Sequence, residues 1–193
     1  MGGTLSRLIW RLARPLYALL DRAYRRWHRL ERVGDIFHVG RETWRGAERR
    51  LEDGTALAPG DTVLRLHLDG ALAAAESAGG ESAAATGRRF ARRFLPACRA
   101  LARRLSDDPR WGDIVAVHTV SWVSPYVGEY WGFEAERLAG GLRNRVIRWH
   151  IGNLLAAAEG QDHRRGQPRP WPVALWISRR RLCERYLDEA LER

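Results

Sequence analysis

The stretch Leu51–Leu68 reads LEDGTALAPGDTVLRLHL. Its last seven residues, Thr62–Leu68, alternate strictly. Leu64, Leu66 and Leu68 share one face; Val63, Arg65 and His67, followed by Asp69, share the other. That period of two predicts a strand. Glu52-Asp53-Gly54 and Pro59-Gly60-Asp61 read as turns, so the strand is preceded by short β elements, expected at Asp35–Gly40 and Thr43–Leu51. Downstream, Ala-, Gly- and Ser-rich residues 70–87 read as a short helix, a loop and a restart. Phe90, Phe94, Ala97, Cys98, Leu101 and Leu105 then repeat at helical spacing over about 86–106, with Pro96 expected to kink the helix and Asp107-Asp108-Pro109 to end it.

Ile114–Val123 is rich in β-branched residues and predicts a buried strand. It should lie parallel to 62–68 at the centre of one sheet, because a long helix connects the two. A helical turn at Pro125–Trp131, a strand at Phe133–Leu138, a helix at Leu142–Ala158, a polar loop at Gln161–Pro170 and a strand at Val173–Ile177 follow. Ser178 is placed to cap a last helix carrying Leu182, Tyr186, Leu187 and Ala190. The expected class is α+β: a single mixed sheet flanked by helices, with an N-terminal amphipathic helix.

The chain has 193 residues and a net charge of +10; every one of its 33 basic residues is Arg. Residues 1–34 carry eight Arg against Asp21 and Glu31, hence +6 of that total. In the same segment Leu5, Leu8, Ile9, Leu12, Leu16, Leu19, Leu20, Ala23 and Trp27 form an apolar stripe, with Arg7, Arg11 and Arg14 among the residues off it and Pro15 interrupting it. An apolar stripe flanked by Arg is the pattern of a helix lying in an anionic membrane surface. The alternative is that the stripe packs on the protein's own core. Residues 1–34 are therefore assigned to a basic amphipathic helix and 35–193 to one α+β domain. No run of 18 apolar residues occurs, and Arg7, Arg11 and Arg14 break any signal-peptide core. The expected location is cytoplasmic, with peripheral attachment to the inner membrane face. Nucleic acid is a weaker candidate partner, since neither a helix-turn-helix signature nor an RNP-type aromatic motif is present.

The polar row Arg65, His67 and Asp69 repeats about every 6–7 Å along its strand. Arg65 could hold an anion while Asp69 orients His67 as a general base; the competing reading is a strand face closed by its own hydrogen bonds. His118 sits on the apolar face predicted for Ile114, Ala116, Val120 and Trp122, and reads first as a core residue; together with Arg88 and Arg89 it is also a weak ligand-binding candidate neighbouring the Arg65 row. Arg88 and Arg89, at the expected start of a helix and with Arg92 and Arg93 nearby, are a weak candidate anion site. Ser121 and Ser124 lack a nucleophile elbow. Tyr126, Tyr130 and Trp131 read as core or pocket wall. Cys98 and Cys183 read as thiols within helices. No pair of residues has metal-ligand spacing, and no cofactor is expected.

Four segments together, Leu51–Leu68, the Arg-rich helix about 88–106, Ile114–Leu138 (IVAVHTVSWVSPYVGEYWGFEAERL) and Trp176–Tyr186 (WISRRRLCERY), resemble the YkoP-like domain family over roughly residues 5–187. The most specific element is the DG…GD…LHL phrase. The resemblance implies a bacterial setting. The family occurs alone or attached to polysaccharide deacetylase domains, which implies a link to envelope polysaccharide, and it implies no catalytic residues. The order strand 62–68, helix 88–106, strand 113–124, short helix 125–131 and Gly132-Phe133-Glu134 also resembles the core of GNAT acyltransferases. Those enzymes hold the CoA pyrophosphate on a short glycine turn. Here the connection from Asp69 to Gly87 is long, and Glu81 follows Gly79-Gly80 where phosphate would sit, so acyl-CoA is not expected. Three functions follow: a membrane-surface component of envelope polysaccharide or lipid metabolism, a GNAT-like acyltransferase, or a nucleic-acid-binding module.

Overall fold

A computed structural model describes residues 19, 22–68, 83–121, 125–138, 141, 144–145 and 172–187. The expected helix at Leu142–Ala158, the loop at Gln161–Pro170 and the connection 69–82 lie largely or wholly outside them. The strands are β1 (Glu31–Val33), β2 (Phe37–Thr43), β3 (Arg49–Arg50), β4 (Ala56–Leu57), β5 (Thr62–Leu68), β6 (Ile114–Ser121), β7 (Glu134–Arg137) and β8 (Val173–Ser178). The helices are α1 (Ala83–Asp107), α2 (Pro125–Tyr130) and α3 (Arg179–Leu187). Six strands form one mixed sheet in the order β1-β2-β5-β6-β8-β7, and β3-β4 form a separate hairpin. The protein is thus α+β with a single mixed main sheet. β5 and β6 are its central pair and run parallel, while the neighbouring pairs are antiparallel.

The alternation in β5 divides the sheet into two faces. Leu64 and Leu66 join Val117, Leu175 and Ile177 in the larger core, against Phe94, Ala97, Cys98, Leu101 and Leu105 of α1 and Leu182 and Tyr186 of α3. Phe94 stacks on Trp131 at 4.0 Å and meets Phe37 edge-on at 5.3 Å. α1 begins three residues before the expected start and runs as one helix through Pro96. Pro96 is exposed, on the side away from the sheet. Gly34, at φ +61°, lies against the α1 backbone, where a Cβ would approach the Ala97 Cα to 3.0 Å. Neither cysteine is bridged. Burial pushes both thiols up, which keeps them protonated and inert.

Val63 faces the second, smaller core, with Leu51, Leu57, Ala116, Ala174 and Trp176. The segment 44–58 lies over this face, which explains a departure from the expected strand at Thr43–Leu51. The chain leaves the sheet at Trp44, whose indole N–H donates to the Ala47 carbonyl at 3.0 Å and closes a local loop. Only Arg49–Arg50 then return to β structure. The DG…GD phrase is turn chemistry. Gly54 (φ +85°) closes the β3–β4 turn, and Asp53 accepts from the Thr55 N–H and hydroxyl at 3.0 Å each. Asp61 accepts from the Ala58 N–H at 2.7 Å. Asp53 also accepts from the hydroxyl of Ser178, while Ser178 Oγ takes the Arg181 N–H at 2.9 Å. Ser178 therefore caps α3 and ties it to the hairpin.

Candidate functional site

The β5–β6 register contains a bulge: Thr62 pairs with Ile114, but Val63 pairs with Ala116. The extra residue, Val115, turns Ile114 to the helix-covered core and leaves Ala116 and His118 on the second face. Ile114 and His118 therefore do not share a face, contrary to the unbroken alternation expected. The bulge also aligns one residue from each of five strands: Gly40, Arg65, His118, Trp176 and Glu134.

Glu42, on the same face of β2 as Gly40, completes the cluster. Its carboxylate accepts from the Arg65 guanidinium through one oxygen and from His118 Nε2 through the other. Burial alone would raise the Glu42 pKa, but the hydrogen bond and charge of His118, and then Arg65, outweigh it and hold the carboxyl below its ordinary value. With Glu42 ionised, Nε2 of His118 is the donor. The imidazole stacks on Trp176 at 4.6 Å and 16°. Trp176 in turn meets Trp44 edge-on at 5.1 Å and lies 4.6 Å beneath the Arg49 guanidinium. The Glu134 carboxylate accepts from the Glu52 N–H at 2.8 Å; burial, the largest influence, pushes its pKa up.

This constellation can orient an imidazole and share a proton with it. Among the described residues no hydroxyl or thiol is bonded to His118, and no group of three metal-ligating side chains comes together. Arg65 and His118 thus meet through a residue, Glu42, that the sequence reading passed over. Its one signal was the period of two that puts His38, Gly40 and Glu42 on one face of β2. Asp69 lies outside the described residues. His67 is set beside Tyr24, with ring centroids 5.5 Å apart. Arg88 and Arg89 belong to α1, the helix covering the opposite face, and sit in its second turn, because α1 starts at Ala83. Ser124 lies outside the described residues; Ser121 is buried in β6. Trp131 is core, but Tyr126 and Tyr130 are exposed, since α2 seats Gly128 against Leu175 and turns both tyrosines away.

A second element reaches this face. Residues 22–27 are helical and end in a tight cap: the Leu30 N–H bonds the Arg25 carbonyl at 2.9 Å, the Arg29 N–H bonds the Arg26 carbonyl at 3.2 Å, and Arg29 takes φ +49°. Arg65 donates to the Tyr24 hydroxyl at 3.1 Å, and Arg25 donates to His38 Nε2 at 3.0 Å. Leu30 lies over Gly40, where a Cβ would come within 2.4 Å of its methyl. Tyr24 and Arg25 thus face the sheet. Leu19 is 59% exposed and Trp27 86% exposed, and Arg22, Ala23 and Arg26 are exposed with them. At about 100° per residue Arg22, Ala23, Arg26 and Trp27 occupy one arc of the helical segment 22–27, opposite Tyr24 and Arg25. Of the stripe expected to bind membrane, Leu5, Leu8, Ile9, Leu12, Leu16, Leu20, Arg7, Arg11 and Arg14 lie outside the described residues. No helix among the described residues is long and apolar enough to cross a membrane.

A family model described as the YkoP domain matches residues 10–186. No curated protein matches the chain significantly, and neither does any solved structure.

Proposed function

The chain belongs to the YkoP domain family, and from that premise we propose that it is a peripheral membrane-surface domain, acting at the inner face of a bacterial membrane in envelope polysaccharide or lipid metabolism. One observation carries the membrane reading. The helical segment turns Tyr24 and Arg25 to the sheet and Trp27 to solvent, with Arg22 and Arg26 on the same outward arc, and Leu19 is exposed as well. An apolar arc containing a Trp and flanked by Arg suits the headgroup boundary of an anionic bilayer. The sequence stripe upstream keeps the same helical phase. The envelope link rests on the company the family keeps with polysaccharide deacetylase domains.

Vesicle flotation of the full chain tests this. We expect the protein to float with phosphatidylglycerol-rich vesicles and to remain behind with phosphatidylcholine alone. Trp27→Ala and the pair Arg22→Glu/Arg26→Glu should weaken the interaction without changing the melting temperature. Each Arg near an anionic surface contributes about 1 kcal/mol, so the charge reversal should reduce binding by at least about tenfold. Failure to float on anionic vesicles overturns the reading.

A second reading, acyl transfer to an envelope substrate on a GNAT-like core, has in its favour the succession β5, α1, parallel β6, α2 and β7. Calorimetric titration with CoA separates the two readings. We expect no binding; affinity in the micromolar range, about −8 kcal/mol, would favour the enzyme.

A further inference from the structure

The parallel central pair of the sheet is joined over only part of its length. Its register runs from Thr62–Ile114 to Arg65–His118 and stops there. Both strands continue beyond that row, each held on its outer side to its end. Leu66, His67 and Leu68 stay paired with Val39, His38 and Phe37 of β2, and Thr119, Val120 and Ser121 with Leu175, Ala174 and Val173 of β8. β5 and β6 are therefore ordered strands that fork. Successive residues of a strand direct their N–H and C=O to opposite sides, so part of the main chain of 66–68 and of 119–121 is directed into the fork.

Its surroundings suit a polar guest. Leu66 and Thr119, next to its base, are buried, and buried main-chain groups are nearly always paired with protein, ordered water or a ligand. On the helix-covered face, where β6 otherwise presents Val117 to the core, it turns the hydroxyl residues Thr119 and Ser121 inward beside the fork. On the opposite face Tyr24 lies over Arg65 and His67 of β5, but Val120 is 39% exposed although β6 is an inner strand. The covering ends there, and the fork opens to solvent on its β6 side. Arg65, Glu42 and His118 form the base. A carboxylate has about four acceptor sites, and Arg65 and His118 use one oxygen each, which leaves Glu42 able to take hydroxyl donors. The charges of Arg65 and Glu42 offset each other, so the base favours a neutral guest. The gap between the strands suits a flat N–H and C=O pair, as a neighbouring peptide unit would supply. A sugar ring bearing a secondary amide offers both the hydroxyls and the amide without a charge.

We propose that the fork between β5 and β6 is a binding site for an N-acetylated sugar, its acetamido group set between 66–68 and 119–121 and its ring hydroxyls on Glu42. The choice of a sugar rests on the envelope half of the function proposed above and is independent of the membrane half.

Titration of the full chain without lipid tests the site, so a failed flotation leaves it standing and a failed titration leaves the flotation result standing. The probes are the β1,4-linked disaccharide of N-acetylglucosamine and cellobiose, the neutral disaccharide with hydroxyls in place of the acetamido groups. The readout is the amide resonances of the backbone. N-acetylated disaccharide should shift residues 66–68 and 119–121 more than the paired residues 62–64 and 114–117. Cellobiose should bind at least about tenfold more weakly, the loss of the amide hydrogen bonds. Val120→Trp, a bulky ring at the exposed mouth, should keep the melting temperature and abolish the shifts. Thr119→Val, which keeps the shape of the side chain and removes its hydroxyl, should weaken binding severalfold. Absence of shifts at the fork, equal binding of cellobiose, or binding by Val120→Trp equal to that of wild type each overturns the site.

Discussion

The two faces of the main sheet differ in kind. The helix-covered face is mainly apolar and packed with aromatic rings: Phe37, Phe90, Phe94, Trp131 and Phe133 lie in a continuous cluster, closed by α1 and α3. The other face has a small apolar patch under the β3–β4 hairpin. It then gives way to Glu42, Arg65 and His118 and to the docked residues Tyr24 and Arg25. The same strands build both faces, so the difference lies in what covers them. A long helix excludes water over its whole length, whereas a hairpin and a helix end leave room for charge that must be paired. Stability should therefore segregate to the first face, and pH sensitivity to the second.

The largest effect should come from the helix face. Phe94→Ala removes a ring stacked on Trp131 and edge-on to Phe37, and should cost about 3–5 kcal/mol in chemical denaturation. A loss below about 1 kcal/mol would show that the aromatic cluster collapses around the gap, and the contrast between the faces would disappear.

Glu42→Gln probes the other face. It leaves Arg65 and His118 facing an uncharged amide and should cost about 1–3 kcal/mol near neutral pH. Its pH signature is sharper than its size. The folded pKa of Glu42 lies below the ordinary 4.5, so its contribution is present above that value and is lost as pH falls through the depressed folded value. Wild type should lose stability relative to Glu42→Gln only in that acid window, measured as melting temperature against pH. A constant difference across the window would show that the carboxylate charge contributes nothing.

At the seam where the hairpin meets α3, Ser178→Ala removes both the cap of Arg181 and the hydroxyl bonded to Asp53. We expect a loss of about 1–2 kcal/mol. Asp53 should also lose part of the depression of its pKa, which burial opposes and the Ser178 hydrogen bond leads. A carboxyl titration of Asp53 that is the same in the variant would sever the hairpin from the helix. The smallest effect should come from Arg29→Gly. Arg29 holds φ +49° at the end of the helical segment, a conformation that glycine adopts without a Cβ penalty, so stability should rise by about 0.5–1 kcal/mol. A decrease would mean that the Arg29 side chain contributes more than its backbone strain costs.

Much of the fold was legible in the residues. The alternation of Thr62–Leu68 marked β5 and its two faces. The β-branched run from Ile114, reached through a long helix, indicated the parallel central pair. The turns at 52–54 and 59–61 and the cap at Ser178 followed from their own side chains. The site was less legible. Arg65 and His118 stood out by residue type, and His118 was a possible neighbour of the Arg65 row, but nothing in either strand pointed to the residue that joins them. Glu42 drew no notice, because a single carboxylate beside a Thr and a Trp has no local signature. The stripe in residues 1–34 was visible, but not which side of residues 22–27 meets the sheet.

The sequence by itself determined most of the described helices, strands and turns, because those choices depend on contacts within a few residues, through periodicity, capping hydroxyls and glycines at positive φ. It misplaced Glu31–Val33, a strand within residues assigned to a helix, and Thr43–Leu51, which leaves the sheet at Trp44. Only the tertiary structure decided which charges meet. Glu42 and His118 are 76 residues apart, and Tyr24 and Arg65 are 41 apart. Their encounter depends on the register of three strands and on one extra residue at Val115. A bulge of one residue moves everything beyond it to the opposite face of the sheet. Its position is set by the packing of both faces at once, which no window of sequence contains.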